Sequence, residues 1–155
     1  MSWSGWSAVC RSRSAWKFST DTILRLAGET LDFTQPVALS LVALTHYLSA
    51  DPDGDDVYGL IERYVDVLVP GSYLVLSQVT PDLSPAAIAK AAEHFQRSGT
   101  PFFPRTLAEF SRFFDGLDLL GPGVIPVYGW RPAPEDVAAQ AEGIVPVYGG
   151  VARKP

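Results

Sequence analysis

The sequence predicts an α/β domain built on parallel strands, and three observations carry that expectation. Two continuous apolar runs, "PVALSLVAL" at 36–44 and "SYLVLSQV" at 72–79, suit strands buried on both faces. Between them Val57, Leu60, Ile61, Tyr64, Val65 and Leu68 repeat at the spacing of one helical stripe. The joints are short, so strand, helix and strand form a right-handed crossover unit.

Each element has its own signal. Residues 1–20 are rich in Ser and Trp and have no sustained period, which reads as a poorly ordered tail. Its Trp3, Trp6 and Trp16 either pack weakly on the domain or form a partner-binding patch. Residues 23–31 contain Gly28 and read as a helical turn. The first strand is expected over 36–44. Asp55 or Asp56 is available to cap the helix that follows, and Pro70-Gly71 ends it. The second strand runs through 73–79. Ser84-Pro85 then opens a helix carrying Ile88, Ala91, Ala92 and Phe95, and Gly99 stops it. Thr106 with Glu109 is a capping-box pair for a short helix through Phe114. "VIPVYGW" at 124–130 echoes "IVPVYGG" at 144–150, which two antiparallel strands explain better than a repeat array.

Composition narrows the function. At 155 residues and 47% hydrophobic content the chain can fill one core. A net charge of −5 and only three lysines argue against a surface for phosphate backbones, so nucleic acid is not an expected partner. The longest apolar stretch, 37–48, falls short of the ~20 residues of a spanning helix, so no membrane contact is expected. The single Cys10 excludes an intrachain disulfide and a zinc site made of cysteines, which makes the cytoplasm the default compartment. No signal peptide is legible, because Arg11 and Arg13 follow the apolar patch instead of preceding it.

The order of parts resembles the C-terminal half of class I S-adenosylmethionine-dependent methyltransferases, with a Rossmann-like sheet. More narrowly, "LDFTQPVALSLVALTHYL", "PGSYLVLSQVT", "FQRSGTPFFPRTLAEFSRFFDGLDLLGPGVIPVYGWRP" and "YGGVARKP" are similar to a bacterial S-adenosyl methyltransferase family of mostly unassigned substrate. The likeness covers residues 21–155 and implies a partial methyltransferase domain there, with the last antiparallel pair at about 117–130 and 145–153. It also implies a ligand crevice at the carboxyl ends of the strands. Ala43, Leu44, Thr45 and His46 would then lie near S-adenosylmethionine, and Tyr47, Ser77 and Gln78 near the methyl acceptor. One departure stands out. Such enzymes grip the cofactor with a Gly-rich loop after the first strand and an acidic residue after the second, and no Gly-x-Gly occurs upstream of Pro36. The chain looks like a second half without the first strands, and weak or absent cofactor binding is expected of it alone.

The chemistry-bearing residues leave alternatives open. His46 is the candidate general base, or else a strand-end histidine packed on the next helix. Asp51, Asp53, Asp55 and Glu62 match four positions of a calcium loop, but Asp56 stands where the turn glycine belongs, so a solvated acidic turn is the better account and no metal is expected. Phe102 and Phe103, flanked by prolines, either face a substrate or plug the core. His94 lies off its helix's stripe and is expected to be exposed.

Two functions of different class compete. One is methyl transfer to a small-molecule acceptor, where proximity and desolvation suffice without a catalytic triad. The other is a non-catalytic interaction module that associates through the unpaired edge of the 36–44 strand. A homodimer is the favoured way of covering that edge.

Overall fold

The computed structural model describes residues 20–48, 56–133 and 145–155. The elements, in chain order, are α1 (Thr20–Ala27), β1 (Ala38–Leu41), α2 (Val57–Asp66), β2 (Tyr73–Val79), α3 (Pro85–Ser98), α4 (Leu107–Ser111), β3 (Asp118–Leu119), β4 (Ile125–Pro126) and β5 (Val147–Arg153). Single 3₁₀ turns occupy Thr45–Tyr47, Arg112–Phe114 and Val127–Gly129. The Trp-rich tail and most of the acidic turn, including Asp51, Asp53 and Asp55, lie outside the described residues.

β1 and β2 are adjacent and parallel, with Ala38 opposite Tyr73 and Leu41 opposite Leu76, as the crossover reading requires. β5 then inserts antiparallel on the other side of β2, and β3 and β4 both pair with β5, so the sheet runs β1-β2-β5-β3. The expected terminal antiparallel pair is therefore present, but the last strand fills the middle of the sheet and its partner is broken into two short pieces.

Three expected boundaries are corrected. The first strand ends at Leu41 instead of Leu44, because Ala43 adopts φ 55° and donates its N–H to Ser77 Oγ at 2.8 Å, turning the chain out of the ladder. The stripe through Leu68 outlasts its helix. α2 stops at Asp66, where the Lys154 ammonium donates to the terminal carbonyls of Val65 and Asp66, although Leu68 is still buried. The 124–130 strand survives only as β4; Val127–Gly129 turns away in a 3₁₀ coil.

The caps follow the expected chemistry. Asp56 accepts from the Gly59 N–H at 2.9 Å, and Thr106 and Glu109 form a reciprocal box in which the Thr106 N–H donates to Glu109 Oε2 at 2.8 Å. Gly99 closes α3 at φ 70°, a left-handed conformation that glycine adopts without steric cost. Ser84 precedes Pro85 as expected but makes no side-chain cap bond.

One face of the sheet carries the core. Leu74 and Leu76 of β2, Tyr148 and Ala152 of β5, and the flanking Leu39 and Leu41 of β1 pack against Val57 and Ile61 of α2 and against Phe110, Phe113 and Phe114. Phe110 meets Phe113 and Phe114 edge-on, at 6.0 and 5.6 Å between ring centroids. Gly150 admits this cluster: a Cβ there would lie 2.8 Å from Phe114 Cζ. α1 lies against α2, tied by Arg63 to Asp21 at 2.8 Å. Among the described residues β1 pairs with β2 alone, so its outer edge is open. No helix among them is long and apolar enough to cross a membrane.

Candidate active site

The carboxyl ends of β1 and β2 lie side by side because the strands are parallel and in register, and the chain leaving β1 is drawn back across β2. The Ala43 turn directs Thr45 and His46 inward, where they are 0% and 5% exposed, and leaves Leu44 and Tyr47 exposed. Thr45 Oγ1 donates to Gln78 Oε1 at 2.7 Å. Gln78 is itself fully buried at the end of β2, and its Nε2 donates to the carbonyls of Val79 at 2.9 Å and Phe103 at 3.0 Å. The Phe103 N–H donates to the His46 carbonyl at 2.7 Å. The loop before α4 is thereby stitched to both strand ends.

Arg105 is the hub of this network. The 8% exposed side chain donates through Nη1 to the carbonyl of Thr45 at 2.7 Å and to Gln78 Oε1 at 3.1 Å, and through Nη2 to the carbonyl of Leu48 at 2.8 Å. Its own N–H donates to the Val79 carbonyl, and its guanidinium lies 5.5 Å from the Phe113 ring centroid. Burial holds the Arg105 pKa below its ordinary value, yet an arginine keeps its charge. A cation thus sits behind the turn, held by carbonyl oxygens. Sequence reasoning missed it, because "FFPRT" does not reveal which way a lone arginine points.

His46 is held neutral: burial first, and the Arg105 charge second, depress the imidazole below its usual pKa of 6.5. Its ring meets Tyr47 at 4.3 Å and Phe102 edge-on at 5.9 Å, and Phe102 stacks on Phe95 of α3 at 4.5 Å. Its Nδ1 is buried and, alone among the buried side-chain polar atoms described, has no hydrogen-bond partner. Buried polar atoms without partners are uncommon and call for an explanation.

The nine residues singled out in the sequence therefore gather in one region but divide by exposure. Thr45, Ser77 and Gln78 are buried and spend their polar atoms on one another and on the backbone. Ala43, Leu44, Tyr47 and Phe103 are exposed, His46 lies beneath the aromatic rings, and Phe102 is half-buried between His46 and Phe95. His94 is exposed, as expected. No cluster of potential metal ligands occurs among the described residues.

The S-adenosyl methyltransferase family model matches residues 15–155, beginning ahead of the boundary expected at residue 21. The chain belongs to this family. Two solved structures resemble this methyltransferase-family chain. A DUF574 family protein from Streptomyces avermitilis MA-4680 is 36% identical, with a TM-score of 0.77 over 88% of this chain and 52% of its own. A candidate methyltransferase from Thermobifida fusca YX is 30% identical, with a TM-score of 0.70 over 87% of this chain and 50% of its own. No curated protein matches. The chain thus spans about half the length of the two structures, and its mixed sheet is the Rossmann-like sheet of a methyltransferase.

The family's cofactor is S-adenosylmethionine, and the residues present fit part of it. Val42, Leu44 and Tyr47 are exposed at and just past the end of β1. Among the described residues the buried polar side chains nearby, His46 apart, are already satisfied by one another and by backbone groups, so the polar grips for ribose and amino-acid groups are not among them.

Proposed function

We propose that this chain is the acceptor-side half of an S-adenosylmethionine-dependent methyltransferase that modifies a small organic molecule in the cytoplasm. The observation that carries the reading is the turn at 43–47, which leaves a parallel strand at its carboxyl end and is fixed from behind by Ser77, Gln78 and Arg105. Family membership gives the reaction type. When bound, S-adenosylmethionine supplies an electrophilic methyl group on a sulfonium.

The chain's residues have three tasks in this reading. Val42 and Leu44 form the wall against which the cofactor lies, and Tyr47, packed against His46 and Phe95, stands on the acceptor side. The Arg105 network holds the wall still, which is what an in-line transfer requires of its scaffold. Phe102 and Phe103 close the acceptor side and exclude water, and neutral His46 can accept a hydrogen bond or a proton from an acceptor hydroxyl or amine through a free ring nitrogen. Among the described residues the polar side chains beside the turn, His46 apart, are taken up by one another and by the backbone, so weak affinity is expected of the chain in isolation.

Calorimetric titration of S-adenosylmethionine into the purified chain tests this. The expected result is no saturation at micromolar concentrations. Micromolar affinity would mean that a different cofactor grip exists. The second reading, a non-catalytic module, rests on the open edge of β1, which serves association with or without catalysis.

A further inference from the structure

Four aromatic rings beside the 43–47 turn close into a circuit. His46 meets Tyr47 at 4.3 Å between ring centroids, and Tyr47 meets Phe95 edge-on at 6.0 Å. Phe95 stacks on Phe102 at 4.5 Å with the planes 21° apart, and Phe102 returns edge-on to His46 at 5.9 Å. These are contact distances for aromatic pairs, so the rings fill the circuit themselves. Against them the Nδ1 of His46 is shut off from solvent and has no hydrogen-bond partner. An atom in that state costs stability that a partner would return. The neighbouring Thr45, Gln78 and Arg105 side chains bond to one another and to backbone carbonyls instead. A partner for Nδ1 can arrive only if one of the rings gives way.

Phe102 is the ring placed to do so. Tyr47 is held in its 3₁₀ turn, with its N–H bonded to the Leu44 carbonyl at 2.9 Å, and Phe95 is built into α3. The loop carrying Phe102 is tied on either side of it, by the Thr100 N–H to the Phe95 carbonyl at 3.0 Å and by the Phe103 N–H to the His46 carbonyl at 2.7 Å. Neither backbone group of Phe102 itself is hydrogen-bonded among the described residues. The half-buried ring can therefore turn outward without disturbing either anchor.

We infer that the methyl acceptor is a hydroxyarene, a phenol-like ring that takes the place of Phe102 and brings its hydroxyl to His46 Nδ1. The inference rests on the methyl-transfer reading above and names the acceptor of that site. The slot that Phe102 vacates is one phenyl ring wide and keeps the face of Phe95 on one side. A planar aromatic recovers the stacking that Phe102 gives up, which a saturated ring does not. A hydroxyl both donates and accepts, so it satisfies Nδ1 in either tautomer. Charge selects against the other ligands that a box of rings could hold. The Arg105 guanidinium, bonded to the Thr45 carbonyl next to His46, repels the ammonium that aromatic faces attract, and a carboxylate would lose its hydration among the rings.

The test is titration of p-cresol into the full 155-residue chain, followed through the imidazole nitrogen resonances of His46. Toluene, which lacks the hydroxyl, and cyclohexanol, which lacks the aromatic ring, are the controls. Saturable binding of p-cresol at millimolar concentrations is expected, with a displaced Nδ1 resonance and an affinity about tenfold above either control. Phe102→Ala empties the slot in advance and should tighten p-cresol about tenfold further. His46→Phe should erase the difference between p-cresol and toluene. Failure of p-cresol to saturate, equal affinity for cyclohexanol, an unmoved Nδ1, or a Phe102→Ala chain that stays folded and binds no more tightly overturns the inference. A turn at 43–47 that responds to S-adenosylhomocysteine while p-cresol and cyclohexanol bind alike would reject the hydroxyarene and leave the proposed function standing. The reverse pair of results would reject the proposed function and leave the ring slot.

Discussion

Replacing Arg105 by Ala removes a charged side chain that, with Gln78, bridges the turn after β1, the end of β2 and the loop before α4. Its two shortest bonds, to the carbonyls of Thr45 at 2.7 Å and Leu48 at 2.8 Å, are charge-assisted, and each such bond contributes ~1.5–3 kcal/mol. Gln78 Oε1 keeps Thr45, and the Phe103 carbonyl keeps Gln78, so those acceptors are not stranded. The gross loss is ~3–6 kcal/mol, reduced because the variant no longer desolvates a guanidinium and because water can enter the vacated space. A net destabilisation of ~2–4 kcal/mol follows, a large share of the ~5–15 kcal/mol typical of a domain. Urea unfolding followed by tryptophan fluorescence measures it. Arg105→Lys should recover less than half, since one ammonium cannot span acceptors held by the two ends of a fork. A loss below ~1 kcal/mol for the Ala variant would refute the hub.

Other residues carry predictions of their own. Gly150→Ala drives a Cβ to within 2.8 Å of Phe114 Cζ and should cost ~1–3 kcal/mol by overpacking, read from the same unfolding curves. Thr106→Ala removes the cap of α4 and should cost ~1 kcal/mol. Because burial and Arg105 depress the folded-state pKa of His46, the unfolded chain binds its proton first as pH falls. The stabilisation is therefore complete above the ordinary value of 6.5 and declines as pH drops below it, at no more than ~1.4 kcal/mol per pH unit. His46→Phe should flatten that decline, which urea midpoints at pH 7 and pH 5 will show.

Much of the fold was legible because it rests on patterns local to the chain. The apolar runs marked β1 and β2, the 3.6-residue stripe marked α2, and Asp56, Thr106 and Gly99 marked helix ends through bonds that reach only three or four residues. What escaped depends on contacts distant in sequence. Leu41 ends β1 because Ser77 takes the N–H of Ala43, and α2 ends at Asp66 because Lys154 reaches its carbonyls; neither partner is visible from the segment concerned. The place of β5 between β2 and the short β3 and β4 was likewise invisible, since "VPVYGGVAR" reads the same at an edge or in the middle. The candidate site was found as a region, by the rule that parallel strands present ligands at their carboxyl ends. Its inner wiring was not: Thr45, Ser77 and Gln78 look like ligand-facing polar groups in the sequence, yet in the fold they satisfy one another around Arg105.

The central claim is that the turn at 43–47 lines a cofactor cleft. Backbone amide NMR of the chain, measured with and without a large excess of S-adenosylhomocysteine, tests it most directly. The largest shift changes on adding the ligand are expected on Val42, Leu44, Thr45, His46 and Tyr47, while α1 and the Lys154 end of the sheet stay still. Saturable binding that moves residues elsewhere and leaves the 43–47 turn unchanged would contradict it.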